Sequence, residues 1–470
     1  MIAFGTGGWR ALIGEGFTKQ NVRRVAQALA RRMIDEQVDQ RGIVVGYDRR
    51  FLSRQAAEWA SEVMAASNIP VKFIGHDAPT PLIMYTVRRA GLPYGMMVTA
   101  SHNPALYNGI KLFTLGGRDA DTSITSPLSD ECNAIAPEDI SSIPFDKALE
   151  SGAVEAINPQ NQYLDDILAS IDVRKIRERA LKVVLDPMYG VSRMPVLTIL
   201  CTARCEVDVI HEQHDALFGG RMPAPSMETL NALRTAVVEK HADLGLATDG
   251  DADRLGVVDE TGAFIPFNQV LALLYYYLLK FKGQRGPVVR NLVTTHLLDK
   301  VAEAEGERCY EVPVGFKHIS SGMKQYDALL GGESSGGLTV RGYISGKDAV
   351  YAASLMVEML AVTGMKMSDL TRQLEREYGK YEMVEHDFAF DASEKDHLMA
   401  RLMVEKQLPD FGRPVVRTDY FDGCKVRFED GWVSARFSGT EPMLRVFSEM
   451  PDRRQAGEMC RLMADFLGIE

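Results

Sequence analysis

Apolar and polar positions alternate along the chain with two periods, which predict helices and strands in turn. From Thr18 onward apolar residues recur at spacings of three and four as far as Met33, and this predicts an amphipathic helix. The run GIVVGYD at 42–48 predicts a strand buried on both faces. The pattern continues with a helix over 54–66, a strand over 71–75, a helix ending near Ala90 and a strand over 95–100. This alternation predicts an α/β unit built on a parallel layer.

The alternation starts again twice before the pattern changes. Further strands are predicted over 180–187, 204–210, 241–249, 286–293 and 327–337. Beyond about residue 382, Asp430 and Gly431 separate two strand-like runs, as in a hairpin, and a helix is predicted over 452–467. A chain of 470 residues is long enough for three or four domains. We predict three similar α/β domains with mixed or parallel sheets, followed by a smaller α+β domain, with the boundaries 1–150, 151–257, 258–375 and 376–470.

The net charge and the apolar runs of the chain limit the kinds of partner that the protein can bind. The net charge is -11 and no block of Lys or Arg is present, which argues against nucleic acid or a membrane surface as a partner. The N-terminus lacks the basic and apolar segments of a signal peptide. The longest apolar run, 270–279, is about half of the ~20 residues that a membrane span needs. It predicts a buried helix in a cytoplasmic protein.

The six cysteines are scattered along the chain. Only Cys201 and Cys205 are near neighbours, which fits neither a zinc site nor a disulfide framework. We therefore expect reduced thiols in the core.

A serine follows the strand predicted at 95–100, within the segment VTASHNPALYNGIK (98–111). In open α/β sheets ligands bind just beyond the carboxyl ends of strands, where Ser101 stands. His102 is its neighbour, and Lys111 closes the segment. The residues alone also fit a plain turn that leaves the strand.

Three aspartates stand at alternate positions in TDGDADR (248–254), directly after an apolar strand. Asp249, Asp251 and Asp253 have no basic neighbour before Arg254, so they would repel each other unless a divalent cation lay among them. Oxygen ligands of this kind suit Mg²⁺ or Mn²⁺. An EF-hand loop is disfavoured, because Arg254 stands where that loop needs Gly and strand-like runs flank the segment.

The segment RFSGTEPMLR (436–445) combines hydroxyls, a glycine amide and guanidinium groups. Arg436, Ser438, Gly439, Thr440 and Arg445 together are suited to cradle a phosphate. The alternative is a hairpin turn with a solvated charge.

Two glycine-rich segments are weaker motifs. FGTGGWR (4–10) has no strand before it and does not satisfy G-x-G-x-x-G, and the absence of a Walker A sequence argues against an ATP-dependent kinase. GGESSGG (331–337) carries Glu333 and Ser335, which can both bond sugar hydroxyls.

Taken as a set, these motifs resemble those of the α-D-phosphohexomutase family, which includes phosphoglucomutases, phosphomannomutases and phosphohexosamine mutases. TASHNP, DGDADR, GGESSGG and RFSGTEP stand in the family's order, and FGTGGWR resembles its opening motif, so the resemblance covers essentially the full chain. It implies four domains in a heart-shaped molecule, with one motif per domain around a central cleft.

The resemblance also implies roles for individual residues. Ser101 would carry a phosphoryl group and, with Asp249, Asp251 and Asp253, hold Mg²⁺. Lys111 and His102 would manage the proton of the substrate hydroxyl, with Lys111 favoured, while Arg10 and Arg254 would balance charge. Substrate would be bound by Glu333, Ser335, Lys347, Arg436, Ser438, Gly439, Thr440 and Arg445.

The activity implied is the interconversion of hexose 1-phosphate and hexose 6-phosphate through a hexose 1,6-bisphosphate, which would also serve as activator. The partners would be small phosphosugars, and the protein a monomer or a homodimer. Gly337 stands where many phosphomannomutase-type members have histidine, and Glu333-Ser334-Ser335 departs from the Glu-Glu-Ser of related phosphoglucomutases. Lys347-Asp348 and 218–225 resemble the glucomutase branch, so glucose is favoured over mannose, with a phosphomannomutase or a dual-specificity mutase as the alternative.

Two other functions are also compatible with members of such a family, one as well as the mutase and one less well. A hexose-1,6-bisphosphate synthase would carry the same motifs, so the sequence does not separate it from a mutase. A non-catalytic sugar-phosphate sensor is disfavoured, because Ser101 and all three aspartates are present.

Overall fold

The structure, a computed structural model, describes residues 1–5, 7–438 and 442–469. It contains four sheets, one for each unit that the sequence predicts. The first unit contains the strands β1 (Trp9–Leu12), β2 (Ile43–Tyr47), β3 (Val71–Ile74), β4 (Tyr94–Val98), β5 (Tyr107–Thr114), β6 (Arg118–Asp119) and β7 (Val154–Ile157) and the helices α1 (Lys19–Asp35), α2 (Ser53–Ala66), α3 (Thr80–Ala90), α4 (Thr122–Ala134) and α5 (Phe145–Glu150).

The first sheet has the order β1-β5-β4-β2-β3-β7, with β6 paired to β5. Strands β2, β3, β4 and β7 run parallel, while β5 is antiparallel to β4 and β1. Helix α1 begins where the sequence predicts, because the Thr18 hydroxyl accepts a hydrogen bond from Asn21 N–H at 3.2 Å. β1 and β5 were not predicted, and they make the sheet mixed rather than parallel.

The second unit is smaller. It contains α6 (Gln160–Ser170), α7 (Val173–Arg179), β8 (Lys182–Asp186), α8 (Arg193–Thr202), β9 (Glu206–Val209), α9 (Asn231–Glu239), β10 (Leu244–Thr248), β11 (Leu255–Asp259) and β12 (Phe264–Ile265). Its sheet order is β12-β11-β10-β8-β9, with β8, β9 and β10 parallel and β11 antiparallel to β10. The loop 249–254 therefore joins two adjacent antiparallel strands.

The third unit repeats this plan. It contains α10 (Phe267–Lys280), β13 (Val288–Asn291), α11 (Leu297–Ala304), β14 (Cys309–Val312), α12 (Phe316–Gln325), β15 (Leu330–Glu333), β16 (Gly337–Val340), α13 (Ala349–Thr363) and α14 (Met367–Tyr378). Its sheet order is β14-β13-β15-β16, and only β16 is antiparallel to its neighbour.

The fourth unit is an antiparallel sheet with helices. It contains β17 (Glu382–Ala389), α15 (Lys395–Met399), β18 (Arg417–Asp419), β19 (Cys424–Arg427), β20 (Trp432–Phe437), β21 (Met443–Met450) and α16 (Arg453–Leu467). The sheet order is β17-β21-β20-β19-β18. The predicted hairpin at Asp430-Gly431 is confirmed, since β19 and β20 pair antiparallel.

The apolar core divides the molecule unequally. One cluster of buried side chains runs through α3, α6, α10 and α13, and so joins the first three units. The fourth unit has a core of its own. Between the third and fourth units lies a small apolar cluster around Val293, Trp432 and Phe447. The last domain is therefore attached by a smaller apolar contact than the other three.

Two predictions about burial have different outcomes. The apolar run at 270–279 lies in the buried helix α10, as predicted. All six cysteines are free, but only Cys132, Cys205, Cys424 and Cys460 are buried; Cys201 is exposed and Cys309 is partly exposed, so the prediction of core thiols is wrong for these two. Cys201 is exposed because it lies on the outer face of α8, near its C-terminal end.

Within the part of the chain that the structure describes, no single helix has both the length and the apolar character to cross a membrane. Helices α13 and α14 meet those two criteria only as a pair, and an angle of 83° separates them.

Candidate active site

Ser101 lies directly after β4 in an unusual backbone conformation. Its φ is +52°, in the left-handed region that non-glycine residues seldom adopt. The side chain is buried, and its Oγ donates a hydrogen bond to Asp249 Oδ2 at 2.8 Å. His102 Nδ1 lies 3.3 Å from the same Oγ. The serine hydroxyl is thus held between the loop of the first domain and the aspartate loop of the second.

Arg50 holds the serine loop in shape. Its Nη1 donates to the carbonyls of Pro104 and Tyr107, both at 2.9 Å. Its Nη2 donates to the carbonyls of Ser101 at 2.6 Å and Asn103 at 2.5 Å. One buried guanidinium therefore fixes four backbone carbonyls of this loop.

A second buried group supports the same loop. Asp48 Oδ2 accepts from the Thr99 hydroxyl at 2.6 Å, and Thr99 Oγ1 accepts from Ser101 N–H at 2.8 Å. Asp48 Oδ1 accepts from the hydroxyl of Ser53 at 2.6 Å. These bonds connect the end of β2 to the serine backbone and help to maintain its left-handed conformation.

Asp249, Asp251 and Asp253 converge in the loop between β10 and β11. All three are buried, and one carboxylate oxygen of each lies within 4.8 Å of the others. Asp251 Oδ2 accepts from the Thr80 hydroxyl at 2.5 Å and from Lys111 Nζ at 2.6 Å. The remaining oxygens, Oδ1 of Asp251 and Oδ1 of Asp253, are buried with no hydrogen-bond partner among the described residues.

Two lysines neutralise part of this charge, which the sequence did not indicate. Lys111 Nζ also donates to Asp253 Oδ2 at 2.7 Å, and Lys347 Nζ lies 3.1 Å from the same oxygen. The sequence has no basic residue beside the aspartates before Arg254, but in the fold Lys111 and Lys347 supply part of the positive charge for which a cation was predicted. These lysines are distant in sequence and reach the loop only in the folded chain.

The local charges set the protonation of the groups around Ser101. Burial, together with the charges of Asp251 and Asp253, raises the pKa of Asp249 well above its usual range. Burial opposes the charge on Lys111, but the neighbouring aspartates prevail and raise its pKa. Burial and the nearby Arg254 lower the pKa of His102, which keeps the ring neutral at neutral pH.

Arg10 and Arg254 lie at the border of the same cluster. Arg10 Nη1 donates to Asn103 Oδ1 at 3.0 Å. The backbone N–H of Arg254 donates to Asp249 Oδ1 at 3.1 Å, and its Nε lies 3.9 Å from Asp253 Oδ1. Burial and the charge of Arg254 lower the pKa of Arg10. The predicted catalytic and metal-binding residues thus form one connected set.

The segment 331–337, which contains the turn between β15 and β16, packs against the aspartate loop. Glu333 is buried, and its Oε1 accepts from the Ser335 hydroxyl at 2.8 Å. The N–H of Leu255 donates to the carbonyl of Gly336 at 3.0 Å, which joins the third domain to the second. A side chain at 337 would collide with the stem of Lys347, so Gly337 leaves the room that Lys347 needs to reach Asp253.

The predicted phosphate loop lies between β20 and β21. Arg436 Nη2 donates to Asp422 Oδ1 at 2.9 Å, and Arg445 Nε lies 3.7 Å from Asp387 Oδ1. Ser438 N–H donates to the carbonyl of Met443 at 2.8 Å. Gly439 and Thr440 lie outside the described residues. Arg436 and Arg445 are register partners in the strand pair.

Several residues of this site were missed by sequence reasoning. Arg50 and Asp48 stand in YDRR, directly after the buried strand β2, and Thr80 begins α3. Charged residues at the carboxyl end of a buried parallel strand were an available signal for the first two. Nothing in the local sequence indicates that Thr80 contacts Asp251, because 171 positions separate them.

Comparison with known protein families covers most of the chain. Models of the four domains of phosphoglucomutase/phosphomannomutase match it: alpha/beta/alpha domain I over 1–139, domain II over 161–262, domain III over 266–378 and the C-terminal domain over 398–466. The chain belongs to the phosphoglucomutase/phosphomannomutase family. The predicted family and the predicted four-domain α/β architecture are thereby confirmed, while the residue boundaries stay predictions.

Similar members of the family carry different names. The chain is 30% identical over 461 residues to a phosphoglucomutase/phosphomannomutase of Thermococcus kodakarensis, covering 98% of this chain and 97% of the relative. It is 30% identical to a probable phosphoglucosamine mutase of Methanobrevibacter smithii, covering 96% and 95%. The crystal structure of a putative phosphomannomutase from Thermus thermophilus matches with a TM-score of 0.85 at 27% identity, covering 99% of both chains.

Proposed function

We propose that this family member is a mutase that interconverts hexose 1-phosphate and hexose 6-phosphate, with Ser101 as the phosphoryl carrier. The observation that supports it most directly is the buried Ser101 hydroxyl, 2.8 Å from Asp249 Oδ2 and beside the other two aspartates. A hydroxyl at the centre of a carboxylate cluster has little use in packing, since burying charge is costly. It is a suitable place to hold and release a phosphoryl group.

The donor set fits a hard divalent cation, and we infer Mg²⁺. Asp249, Asp251 and Asp253 offer only oxygen ligands, and the partnerless Oδ1 atoms of Asp251 and Asp253 are buried acceptors that a cation would satisfy. Mg²⁺ bound there would withdraw charge from the transferring group and make the serine oxygen a better leaving group.

In the proposed reaction the 6-hydroxyl oxygen of a hexose 1-phosphate bonds to the phosphorus on Ser101. The bond from phosphorus to Ser101 Oγ breaks, and Oγ keeps its electron pair. The proton of the sugar hydroxyl passes to a base. Of the two candidates, the neutral ring of His102 can accept it directly, whereas Lys111 must first release the proton that Asp251 and Asp253 stabilise. The 1,6-bisphosphate then turns end for end, and Ser101 Oγ bonds to the phosphorus at position 1. The bond from that phosphorus to the C1 oxygen breaks, the C1 oxygen takes up the proton, and hexose 6-phosphate leaves.

The basic side chains near Ser101 and in the predicted phosphate loop would support the reaction in different ways. Lys111, Lys347 and Arg10 place positive charge around the serine, where the equatorial oxygens of a transferring group carry negative charge. Arg50 keeps the serine loop in one conformation, so the position of Ser101 Oγ is fixed before substrate binds. Arg436 and Arg445 would hold the phosphate that is not being transferred.

We propose glucose as the preferred sugar, because Lys347 takes the space beside Gly337 that a histidine there would need. The test is a comparison of kcat/KM on glucose, mannose and glucosamine 1-phosphates, with and without added glucose 1,6-bisphosphate. A mutase with glucose preference is fastest on glucose 1-phosphate and is activated by catalytic amounts of the bisphosphate. Net release of bisphosphate with a separate phosphoryl donor would instead identify a bisphosphate synthase.

The covalent step has its own test. Intact mass of the purified protein should show a partial population heavier by one phosphoryl group, absent from Ser101→Ala. A Ser101→Ala variant with wild-type turnover would overturn the proposal.

A further inference from the structure

Asp422 stands between the third domain and the arginine that is predicted to grip substrate phosphate. Its Oδ1 accepts from Arg436 Nη2 at 2.9 Å. Its Oδ2 accepts from the backbone N–H of Val314 at 2.6 Å, in the loop that joins β14 to α12. One carboxylate thus bonds a fourth-domain side chain with one oxygen and the third-domain backbone with the other.

The local backbone places Asp422 there for a steric reason. Gly423 has φ +86°, and a side chain on it would collide with the Ala435 carbonyl and with Cγ of Arg436. Cys424 then pairs with Ala435 as β19 begins. The glycine therefore lets the chain turn closely against β20, and this close turn sets the Asp422 carboxylate beside the Arg436 guanidinium.

The hydrogen bond to Asp422 satisfies only part of the donor capacity of the Arg436 guanidinium. Arg436 Nε is buried and has no hydrogen-bond partner among the described residues. A guanidinium presents its donors in a rigid plane, so fixing one nitrogen fixes the directions of the others. The side chains of both Arg436 and Asp422 are about one-fifth exposed, at 22% and 21%, so a soluble anion can reach the pair.

Here we propose that Asp422 is a positioning residue for phosphate recognition. It holds the Arg436 plane ready for a substrate phosphate, and through Val314 it makes that orientation depend on the contact between the third and fourth domains. This role rests on the proposed function of Arg436 as the phosphate grip. Asp422 would not contact the substrate itself, but it would determine how tightly the fourth domain binds the substrate phosphate.

The apolar neighbours of Val314 support the dependence on domain contact. Val314 packs, partly buried, against the cluster of Val293, Trp432 and Phe447 that joins the two domains. When the fourth domain moves away from the third, the bond from Val314 to Asp422 must break. The third-domain backbone then no longer holds Asp422, and through it Arg436, in place, which favours release of the phosphate while the two domains are apart.

The test is a double-mutant cycle on ligand affinity. Glucose, mannose and glucosamine 1-phosphates are titrated by calorimetry into protein carrying Ser101→Ala, so that no phosphoryl transfer accompanies binding. Adding Asp422→Ala should weaken the Kd of the best ligand about tenfold, the scale of one charge-assisted hydrogen bond. Adding Asp422→Ala to Arg436→Ala should weaken it no further, because Asp422 acts through Arg436.

The matched control is Asp430→Asn, which removes a similar ion pair from the same domain. Asp430 pairs with Arg413 at 2.9 Å on the exposed hairpin, and its loss should leave Kd unchanged. In the otherwise native enzyme Asp422→Ala should raise KM with a smaller change in kcat.

The outcomes separate this role from the function on which it rests. An unchanged Kd in Asp422→Ala, or a full additional loss on top of Arg436→Ala, would overturn the positioning role while wild-type turnover still supports the mutase. If Ser101→Ala protein binds none of the three sugar phosphates and the wild type turns none of them over, the proposed function fails and this role fails with it.

Discussion

Two largely buried groups of charged side chains among the described residues have their hydrogen bonds satisfied in different ways. Around Ser101, three aspartates meet Lys111 and Lys347, yet Oδ1 of Asp251 and Oδ1 of Asp253 have no hydrogen-bond partner among the described residues. Between the third and fourth domains, Glu311 receives a cation on each oxygen. Arg427 donates to Oε1 at 2.7 Å, while Arg290 and Lys425 donate to Oε2 at 2.5 and 2.8 Å.

The difference indicates what each cluster is for. A largely buried carboxylate whose acceptors are all filled by its own chain stabilises the contact among those groups and has no acceptor left for a ligand. A buried carboxylate with an unfilled acceptor is costly unless something else fills it. We therefore interpret the Glu311 cluster as a joint between domains and the aspartate cluster as a ligand site.

The largest effect expected is on activity, from Asp251→Asn. The change removes one charge from the aspartate cluster and should lower kcat by about a thousandfold, because stabilisation of the transferring group is lost. The melting temperature should fall less than in Glu311→Gln, because Lys111 keeps its ion pair with Asp253 and one of three mutually repelling carboxylates is neutralised. Turnover and thermal unfolding of the same preparation check both points. Full activity of Asp251→Asn in excess chelator would contradict the assignment of the aspartate cluster as a metal site.

Glu311→Gln should have the opposite profile. It leaves Arg290, Lys425 and Arg427 without their shared counter-charge, and such losses cost about 3–5 kcal/mol of the free energy of unfolding. kcat measured well below the melting temperature should be retained. Urea denaturation beside a kinetic assay tests this, and the comparison breaks if kcat falls while stability is unchanged.

Lys425 should make the joint sensitive to pH. Burial, followed by the charge of Arg290, lowers its pKa to about 7 from the usual 10.5. The unfolded chain therefore binds more protons than the folded chain between about pH 7 and 10.5, so the contribution of Lys425 to stability rises with pH across that window and is lost as pH falls through 7.

Replacement by a neutral side chain of similar shape isolates that contribution. Denaturation of Lys425→Met at pH 7, 8 and 9 should give a flatter dependence of unfolding free energy on pH than the wild type. Parallel curves for the two proteins would show that Lys425 does not titrate in this window.

The smallest effect expected is stabilisation by the cation itself. Millimolar Mg²⁺ should raise the melting temperature of the wild type by a few degrees, since a ligand that binds only the folded state stabilises it by mass action. Asp251→Asn should lose this shift and Glu311→Gln should keep it, with NaCl at equal ionic strength as the control. Equal shifts in both variants would remove the distinction between the clusters.

Much of the fold could be predicted because it follows from local patterns. The helix that starts after Thr18, the buried run at 42–48 and the Asp430-Gly431 turn each depend on neighbouring residues, and the structure has each where it was predicted. β5 was missed because Asn108 and Lys111 interrupt its apolar pattern. Both side chains are buried and bond to polar partners from other segments, Asn108 to Ser53 and Lys111 to Asp251.

The site could be predicted only where its chemistry lies within one segment. Asp249, Asp251 and Asp253 follow one another at spacing two, so their convergence is visible in the sequence. The contacts of Thr80 and Lys111 with Asp251 depend on how two domains pack, and no local pattern encodes that. Asp422 escaped notice for the same reason, since its partner Val314 belongs to another domain.

The contacts between the first and second domains also have a consequence for how the protein is made. Ser101 leaves the ribosome 148 residues before Asp249, and Thr80 leaves it 171 residues before Asp251. During that interval a nascent first domain has its serine but none of the carboxylates that the proposed chemistry needs. Sugar phosphates in the cell would therefore meet an inert serine on every unfinished chain, and reactivity would begin only once the second domain has folded against the first.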